Sequence, residues 1–239
     1  MPVDSTTEAR FSLADFGMVV LVGLAGAFLA GGVGLAVGLG DTGLLILTTV
    51  AMSGVQLLAV WLILRRRSST YESMGLTVVP GDGRFLGLGL FLQILLAVLA
   101  YPILESLDRT EQTTQAVVEQ VSQATGGGTR VAVILLVGFL APLAEEVVFR
   151  GVLLQVLQRS MRPAIANVTT AAVFSVVHAI GLLPGADLAG LVTLGLLFLV
   201  GLVLGALTLR HGRLGPAIFT HAGYNLTTLL LVYAAPQLT

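Results

Sequence analysis

Two adjacent carboxylates and an arginine lie inside a long apolar stretch of the chain. In the run from Val131 to Leu157 the charged residues are Glu145, Glu146 and Arg150. An ionised side chain near the centre of a bilayer costs about 2.5–3.5 kcal/mol on insertion scales, so such residues usually face a polar cavity and a partner. A glutamate in that position can take a proton from water and act as a general base. The alternative is a charge cluster that only holds helices together.

Helical spacing separates these three side chains into two directions. Glu146 and Arg150 are four residues apart, so they share one face of a helix. Glu145 lies about 100° further round the helix, so it can face a different neighbour. We therefore expect Glu146 and Arg150 to pair and Glu145 to be available to another group.

Two later apolar stretches carry histidines. Phe174 and His178 are four apart in one stretch, and His221 and Asn225 are four apart in another. At 1.5 Å per residue, Glu145 and His178 lie about 21–23 Å along their helices from the same side, and the other pair lies about 12–18 Å along. A tilt of the helices brings all of them to one level. Taken singly, each histidine or asparagine is also explained as an interhelical hydrogen-bond partner.

This combination of residue types suits the hydrolysis of a peptide bond. A buried glutamate can take a proton from water, and a histidine beside it can hold that water and take part in proton transfer. A second histidine and an amide donor can stabilise the oxyanion that forms on the attacked carbonyl. The alternative is a zinc site with a bound water, for which Glu145, His178 and His221 form a suitable ligand set. The His-Glu-x-x-His motif of zinc proteases does not occur in the chain.

The composition is that of a helical membrane protein. Of 239 residues, 56% are hydrophobic and 10% are charged, whereas soluble domains carry about 25% charged residues. The apolar runs have the length of helices rather than of outer-membrane barrel strands. We predict an all-α, polytopic transmembrane bundle that lies in the lipid bilayer. The net charge of −1 argues against a nucleic-acid partner, and the absence of cysteine excludes disulfides and thiol nucleophiles.

Seven apolar runs are long enough to be spans, and an eighth span is the alternative. We expect one membrane domain over 1–239, with a catalytic core at 131–232 and N-terminal helices of unassigned role at 1–130. Pro142 should kink the fourth span, because proline lacks a backbone donor. The links at 40–43 and 184–187 should form tight hairpins, and the polar insert at 105–130 should hold a surface helix. The predicted spans are 16–39, 44–64, 85–104, 131–157, 163–183, 188–209 and 214–234.

The arginines predict the orientation of the bundle. The links after spans two, four and six hold eight arginines, and the links after spans one, three and five hold two. Basic links are retained on the cytoplasmic side. We therefore place the even-numbered links and the N-terminus in the cytoplasm, and the protein in a plasma membrane.

Three short motifs, in order on separate predicted spans, resemble those of the CPBP family, which comprises the CAAX proteases and the bacteriocin-processing (Abi) membrane proteins. The resemblance covers about 131–232. The motifs are Glu-Glu-x-x-x-Arg at Glu145, Glu146 and Arg150, Phe-x-x-x-His at Phe174 and His178, and His-x-x-x-Asn at His221 and Asn225.

The resemblance implies a glutamate-dependent intramembrane endopeptidase, similar in its core to the type II CAAX prenyl endopeptidase. Glu145 would activate water with His178, while His221 and Asn225 would form the oxyanion hole. Family members are often described as metalloproteases, so zinc stays an alternative cofactor. The implied partner is a membrane-associated peptide or protein substrate. The implied supporting residues are Glu146, Arg150 and Phe174.

Two other classes of function use the same polar residues. A non-enzymatic scaffold or bacteriocin-immunity-type protein would bind a peptide or partner in the cavity. A catalytically dead relative is expected to lose one of the motif positions, and this chain keeps all of them. A proton-coupled transporter usually has a repeated architecture, and no internal repeat is visible. The sequence therefore favours the protease.

Overall fold

The structure is a computed structural model that describes residues 11–106, 124, 126–179 and 188–234. It is 86% helical and the described residues contain no strand, which confirms the polytopic helical bundle. Two short 3₁₀ turns, Glu72–Met74 and Asp82–Arg84, precede the third long helix. The long helices are α1 (Leu13–Ala36), α2 (Asp41–Arg66), α3 (Phe85–Ser106), α4 (Gly127–Gln158), α5 (Pro163–Ala179), α6 (Leu188–His211) and α7 (Gly215–Ala234).

The helices lie where the apolar runs predict them, within four residues at each described end. In the described part of the chain, five helices are long and apolar enough to cross a membrane, namely α1, α2, α3, α4 and α6. The other two predicted spans correspond to α5, which has 17 described residues, and to α7, which is 20 residues long and carries the polar side chains of the His221 motif. The chain is therefore a multi-pass membrane protein.

The predicted links have mixed outcomes. The link between α1 and α2 covers 37–40, so it is as short as predicted but begins three residues earlier. The predicted hairpin at 184–187 and most of the polar insert at 105–130 lie outside the described residues.

The fourth helix changes its hydrogen-bonding register around Pro142. Its segments Leu136–Leu140 and Val147–Leu154 are π-helical, and the α-helical turn Ala141–Glu146 between them carries both glutamates. In the first π-helical segment the amide of Ala141 donates to the carbonyl of Leu136, five residues earlier. Single π-helical turns inside α-helices are frequent at functional sites. The irregularity expected at Pro142 thus takes the form of a register change.

Aromatic edge-to-face contacts join α1, α4 and α5 at the centre of the bundle. The ring of Phe149 lies 5.7 Å from that of Phe16 and 5.1 Å from that of Phe174, measured between centroids. Such pairs contribute about 0.5–1.5 kcal/mol beyond the area that they bury. Because Phe149 is four residues from Glu145, these contacts fix the position of the glutamate-bearing turn relative to α5.

The link at 67–84 is fastened to the end of the bundle that carries the arginine-rich links. The Met74 carbonyl accepts a hydrogen bond from the Gln155 amide of α4 at 2.8 Å, and the Gly75 carbonyl accepts one from the Leu214 amide at 2.8 Å. The Arg213 guanidinium donates two hydrogen bonds to the buried Asp82 carboxylate. These bonds raise the pKa of Arg213 above its usual value. The link therefore holds α4 and the start of α7 together.

Candidate active site

The structure brings together Glu145, His178 and His221 from α4, α5 and α7. The Oε2 atom of Glu145 lies 3.9 Å from Nε2 of His178 and 3.6 Å from Nε2 of His221. The Glu145 and His178 side chains are 22% and 30% exposed, whereas that of His221 is 6% exposed. The carboxylate and the His178 imidazole are thus partly accessible, whereas the His221 imidazole is buried beside them.

Both imidazoles present an unprotonated nitrogen to Glu145 when they are neutral. Nδ1 of His178 lies 2.7 Å from the carbonyl oxygen of Phe174, and Nδ1 of His221 lies 2.9 Å from Oε1 of Glu146. A carbonyl or carboxylate oxygen only accepts, so each Nδ1 must donate, and the proton of each neutral ring is used there. Each Nε2 is then an acceptor that faces an acceptor oxygen.

The separations at this cluster match a bridging water molecule. Oε2 of Glu145 faces the two acceptor nitrogens at 3.9 and 3.6 Å, which is too long for a direct hydrogen bond. A water oxygen about 2.8 Å from the carboxylate and from one of the two Nε2 atoms fits such a gap, and its two hydrogens satisfy two of the three acceptors. The cluster thus has the chemistry to hold one water against a carboxylate.

A fully buried ion pair lies behind Glu145. Nη1 of Arg150 donates to Oε1 of Glu146 at 2.9 Å, and both side chains are 0% exposed, as the four-residue spacing predicts. The same Oε1 atom accepts the hydrogen bond from His221, so one carboxylate oxygen orients both the guanidinium and the imidazole. Nη2 of Arg150 donates to the carbonyl of Gly201 on α6 at 3.0 Å. The pair therefore links α4, α6 and α7.

Phe174 packs against the charged and imidazole groups of the site. Its ring centroid lies 4.8 Å from Cζ of Arg150, 4.4 Å from the His178 ring and 5.9 Å from the His221 ring. A guanidinium at that distance from an aromatic ring is attracted by the ring's quadrupole. Phe174 is 1% exposed, so its ring is a buried packing partner of Arg150 and of both imidazoles.

Asn225 is held by the irregular part of α4. Its amide Nδ2 donates to the carbonyl of Val137 at 2.9 Å. In the π-helical register that carbonyl would accept from residue 142, but Pro142 has no amide hydrogen. The Asn225 amide takes the place of the missing donor, and its second amide hydrogen is not used in that bond. Among the described contacts, Asn225 has none with Glu145, so its predicted oxyanion role stays a prediction.

The residues of the zinc alternative do not form a metal-binding group in the described structure. No group of three or more histidine or carboxylate side chains among the described residues is arranged to hold a metal ion. We therefore derive no step through zinc.

Sequence reasoning missed the backbone groups of the site. The carbonyls of Gly201 and Val137 bind Arg150 and Asn225, and no side-chain motif marks them. Pro142 is a partial signal, because it leaves an upstream carbonyl without a donor. Gly201 is another, because its missing Cβ lets α6 approach α5; a Cβ there would lie 3.1 Å from Cα of Ala171.

The fold and this cluster define a multi-pass membrane protein with a buried glutamate–histidine site. Residues 127–227, which contain all three motifs, match the family model described as type II CAAX prenyl endopeptidase Rce1-like. This match confirms the predicted resemblance of residues 127–227 to the CAAX-protease family. The family is one of CAAX-type intramembrane proteases. No curated protein and no solved structure matches the chain.

Substitution of Gly223 by alanine should both destabilise the protein and lower its activity. Gly223 lies between His221 and Asn225, where α7 crosses α3, and a Cβ there would lie 2.2 Å from the Leu86 carbonyl oxygen. Backbone atoms cannot move aside cheaply, so we expect a loss of about 1–3 kcal/mol of unfolding free energy. Denaturant unfolding in detergent measures it.

The matched control for Gly223→Ala is Gly54→Ala on α2. A Cβ at Gly54 has no atom within 4 Å, and alanine is the better helix former by about 1 kcal/mol. Gly54→Ala should therefore be as stable as the wild type or more so. Equal stability of the two variants would contradict the close crossing of α3 and α7.

Proposed function

We propose that the chain is an intramembrane endopeptidase that hydrolyses a peptide bond of a membrane-associated substrate with a glutamate-activated water. The observation that carries the proposal is the meeting of Glu145 Oε2 with the Nε2 atoms of His178 and His221 at 3.9 and 3.6 Å. The Rce1-like match at 127–227 supports the same class of reaction. We assign the catalytic core to 131–232 and leave the helices of 1–130 without a catalytic role.

In the proposed reaction Glu145 is the general base. Its carboxylate removes a proton from the bridging water as the water oxygen attacks the substrate carbonyl carbon. His178 holds that water through Nε2, while its Nδ1–H stays bound to the Phe174 carbonyl. The C–N bond then breaks, and the proton held by Glu145 passes to the leaving nitrogen. Water is divided between the two products, and the enzyme returns to its starting protonation.

The oxyanion is stabilised by groups on α7. Asn225 offers the amide hydrogen that Val137 does not use. His221 can donate from Nε2 only when it carries a second proton, and the Glu146 carboxylate 2.9 Å from its Nδ1 stabilises that imidazolium. Arg150 and Phe174 act as positioning residues, because they hold Glu146 in place. Preorganised donors of this kind are usually worth about 10²–10³ in rate each.

Replacing Asn225 by alanine should lower kcat by about 10²-fold and leave KM nearly unchanged, because the proposed hydrogen bond forms on the oxyanion rather than on the bound substrate. His178→Ala should also lower kcat, because the water loses its hydrogen bond to Nε2 of His178. Steady-state cleavage of a synthetic membrane peptide measures both constants. A rise in KM with unchanged kcat for Asn225→Ala would refute the oxyanion assignment.

Metal dependence separates this mechanism from the zinc alternative. The three candidate ligands are also the proposed base and its two imidazole partners, so substitutions alone do not distinguish the two. We expect cleavage to survive exhaustive chelation and elemental analysis to find less than stoichiometric zinc. Loss of cleavage on chelation, with recovery on adding zinc, would replace the general-base mechanism with a metal-assisted one.

The substrate and the membrane orientation belong to the proposal as well. We place the arginine-rich links and the N-terminus on the cytoplasmic side of a plasma membrane. The direct test incubates the purified protein in bilayers with matched peptides that carry a prenyl chain, an acyl chain or a transmembrane anchor. Cleavage of at least one at a single bond supports an endopeptidase. Stable binding without cleavage of any would favour the non-enzymatic scaffold.

A further inference from the structure

A polar pocket lies at the arginine-rich end of the bundle and is lined by Arg150 of the buried ion pair. It measures about 130 Å³ and lies between the 67–84 link, the end of α4 and the turn from α6 to α7. Gln158 at its mouth is exposed, Gln155 one turn deeper is half-buried, and Arg150 at its inner end is fully buried. The pocket thus leads from the surface to the positioning arginine.

Arg150, which lines this pocket, carries a donor without a partner in the described structure. Arg150 uses Nη1 for Glu146 and Nη2 for the Gly201 carbonyl, but its buried Nε has no hydrogen-bond partner among the described residues. An unpaired donor on a buried cation is costly, and native proteins usually satisfy such groups with protein or ordered water. Arg150 lines the pocket, so a molecule bound at its floor can accept this hydrogen bond.

The size and the lining of the pocket suit water. At about 30 Å³ per molecule, 130 Å³ holds about four waters. The pocket walls offer both kinds of group. The guanidiniums of Arg150 and Arg213 can only donate, the amides of Gln155 and Gln158 can donate and accept, and the Thr208 hydroxyl can accept while it donates to Leu204. A wall that offered donors alone would instead favour an anion.

We propose that this pocket is a hydration site, in which a small water cluster accepts the Nε–H hydrogen bond of Arg150. The cluster completes the solvation of the guanidinium and so holds the Arg150–Glu146–His221 chain of hydrogen bonds in its ionised arrangement. The pocket therefore acts on the active site through the positioning of Arg150 and Glu146. The effect of the pocket on the reaction rate rests on the proposed function, whereas the presence of water in the pocket does not.

Single introduced thiols test whether the pocket is wet, because the natural chain has no cysteine. Thr208→Cys places a thiol in the pocket and removes only a hydrogen bond within its own helix. Ala206→Cys is the matched control, since Ala206 is two residues away on the opposite, exposed face of α6. Methanethiosulfonate reagents react with the thiolate, which forms in water. In bilayer vesicles we expect Thr208→Cys to react at least about tenfold faster.

Equal reaction rates of the two thiols would overturn the hydration site. Reaction of Thr208→Cys with an anionic reagent alone, and not with a cationic one, would replace it with an anion site. Neither measurement depends on proteolysis, so the thiol-labelling test of the hydration site stays valid if the proposed function fails.

A variant that fills the pocket with a larger side chain tests the effect of the water on the active site. Thr208→Leu fills the pocket with apolar atoms, and Thr208→Ser keeps the hydroxyl as a control. Loss of a hydrogen bond to a charged group predicts a kcat about tenfold lower for Thr208→Leu with unchanged KM, and wild-type constants for Thr208→Ser. Wild-type kcat in a folded Thr208→Leu variant would overturn the link between the pocket and the active site.

Discussion

Replacing Glu145 by glutamine should abolish cleavage while leaving the protein folded. The amide has nearly the size of the carboxylate but cannot take a proton from water, so we expect a rate loss of roughly 10²- to 10⁴-fold. The Glu145 side chain is 22% exposed, and its described contacts are with the two histidines. The free energy of unfolding should therefore change by about 0.5 kcal/mol or less.

Cleavage of a synthetic membrane peptide and denaturant unfolding in detergent measure the two effects on Glu145→Gln. Glu72→Gln is the matched control, because Glu72 is an exposed carboxylate in the 67–84 link. It should keep both wild-type activity and wild-type stability. Full activity of Glu145→Gln would rule out this carboxylate as the base, and unfolding of the variant would show that Glu145 is a structural residue instead.

Breaking the buried Glu146–Arg150 pair should have the largest effect on stability. Both side chains are 0% exposed, so Arg150→Met leaves a buried carboxylate without its cation. Removal of one partner of such a pair typically costs about 3–5 kcal/mol. Arg67→Met, which breaks the more exposed pair with Asp15, is the control and should cost about 1 kcal/mol or less.

The double variant Glu146→Leu with Arg150→Met separates the structural role of the pair from its role in the site. Replacing a buried ion pair by apolar residues of similar size is often neutral or stabilising, so the double variant should be more stable than either single one. Activity should stay lost, because the Nδ1–H of His221 no longer has its acceptor. Recovery of cleavage along with stability would show that the pair serves folding alone.

Much of the fold and the main members of the site follow from the sequence for local reasons. An apolar run long enough to cross a bilayer must pair its backbone N–H and C=O groups with each other, so it is helical whatever its neighbours are. The rise per residue then gives the depth of Glu145 and His178, and the four-residue spacing gives the Glu146–Arg150 pair that the structure contains. These quantities depend on distances along one helix.

Other features depend on how separate helices pack, and local patterns do not encode them. The bond from His221 to Glu146 requires α7 to pack beside α4. The bond from Asn225 to the Val137 carbonyl requires the π-helical register before Pro142. The pocket that Arg150 lines requires the 67–84 link to pack against the end of α4.

The sequence by itself therefore determined a helical membrane protein, the positions of its polar residues along their helices and the pairing of Glu146 with Arg150. Only the tertiary structure decided that Glu146 also holds His221, that backbone carbonyls of Gly201 and Val137 bind Arg150 and Asn225, and that Arg150 borders a polar pocket. The physical reason is the difference in range between the two kinds of interaction. Helical periodicity is set by neighbouring residues along the chain, whereas these contacts join atoms that come together only when several helices pack.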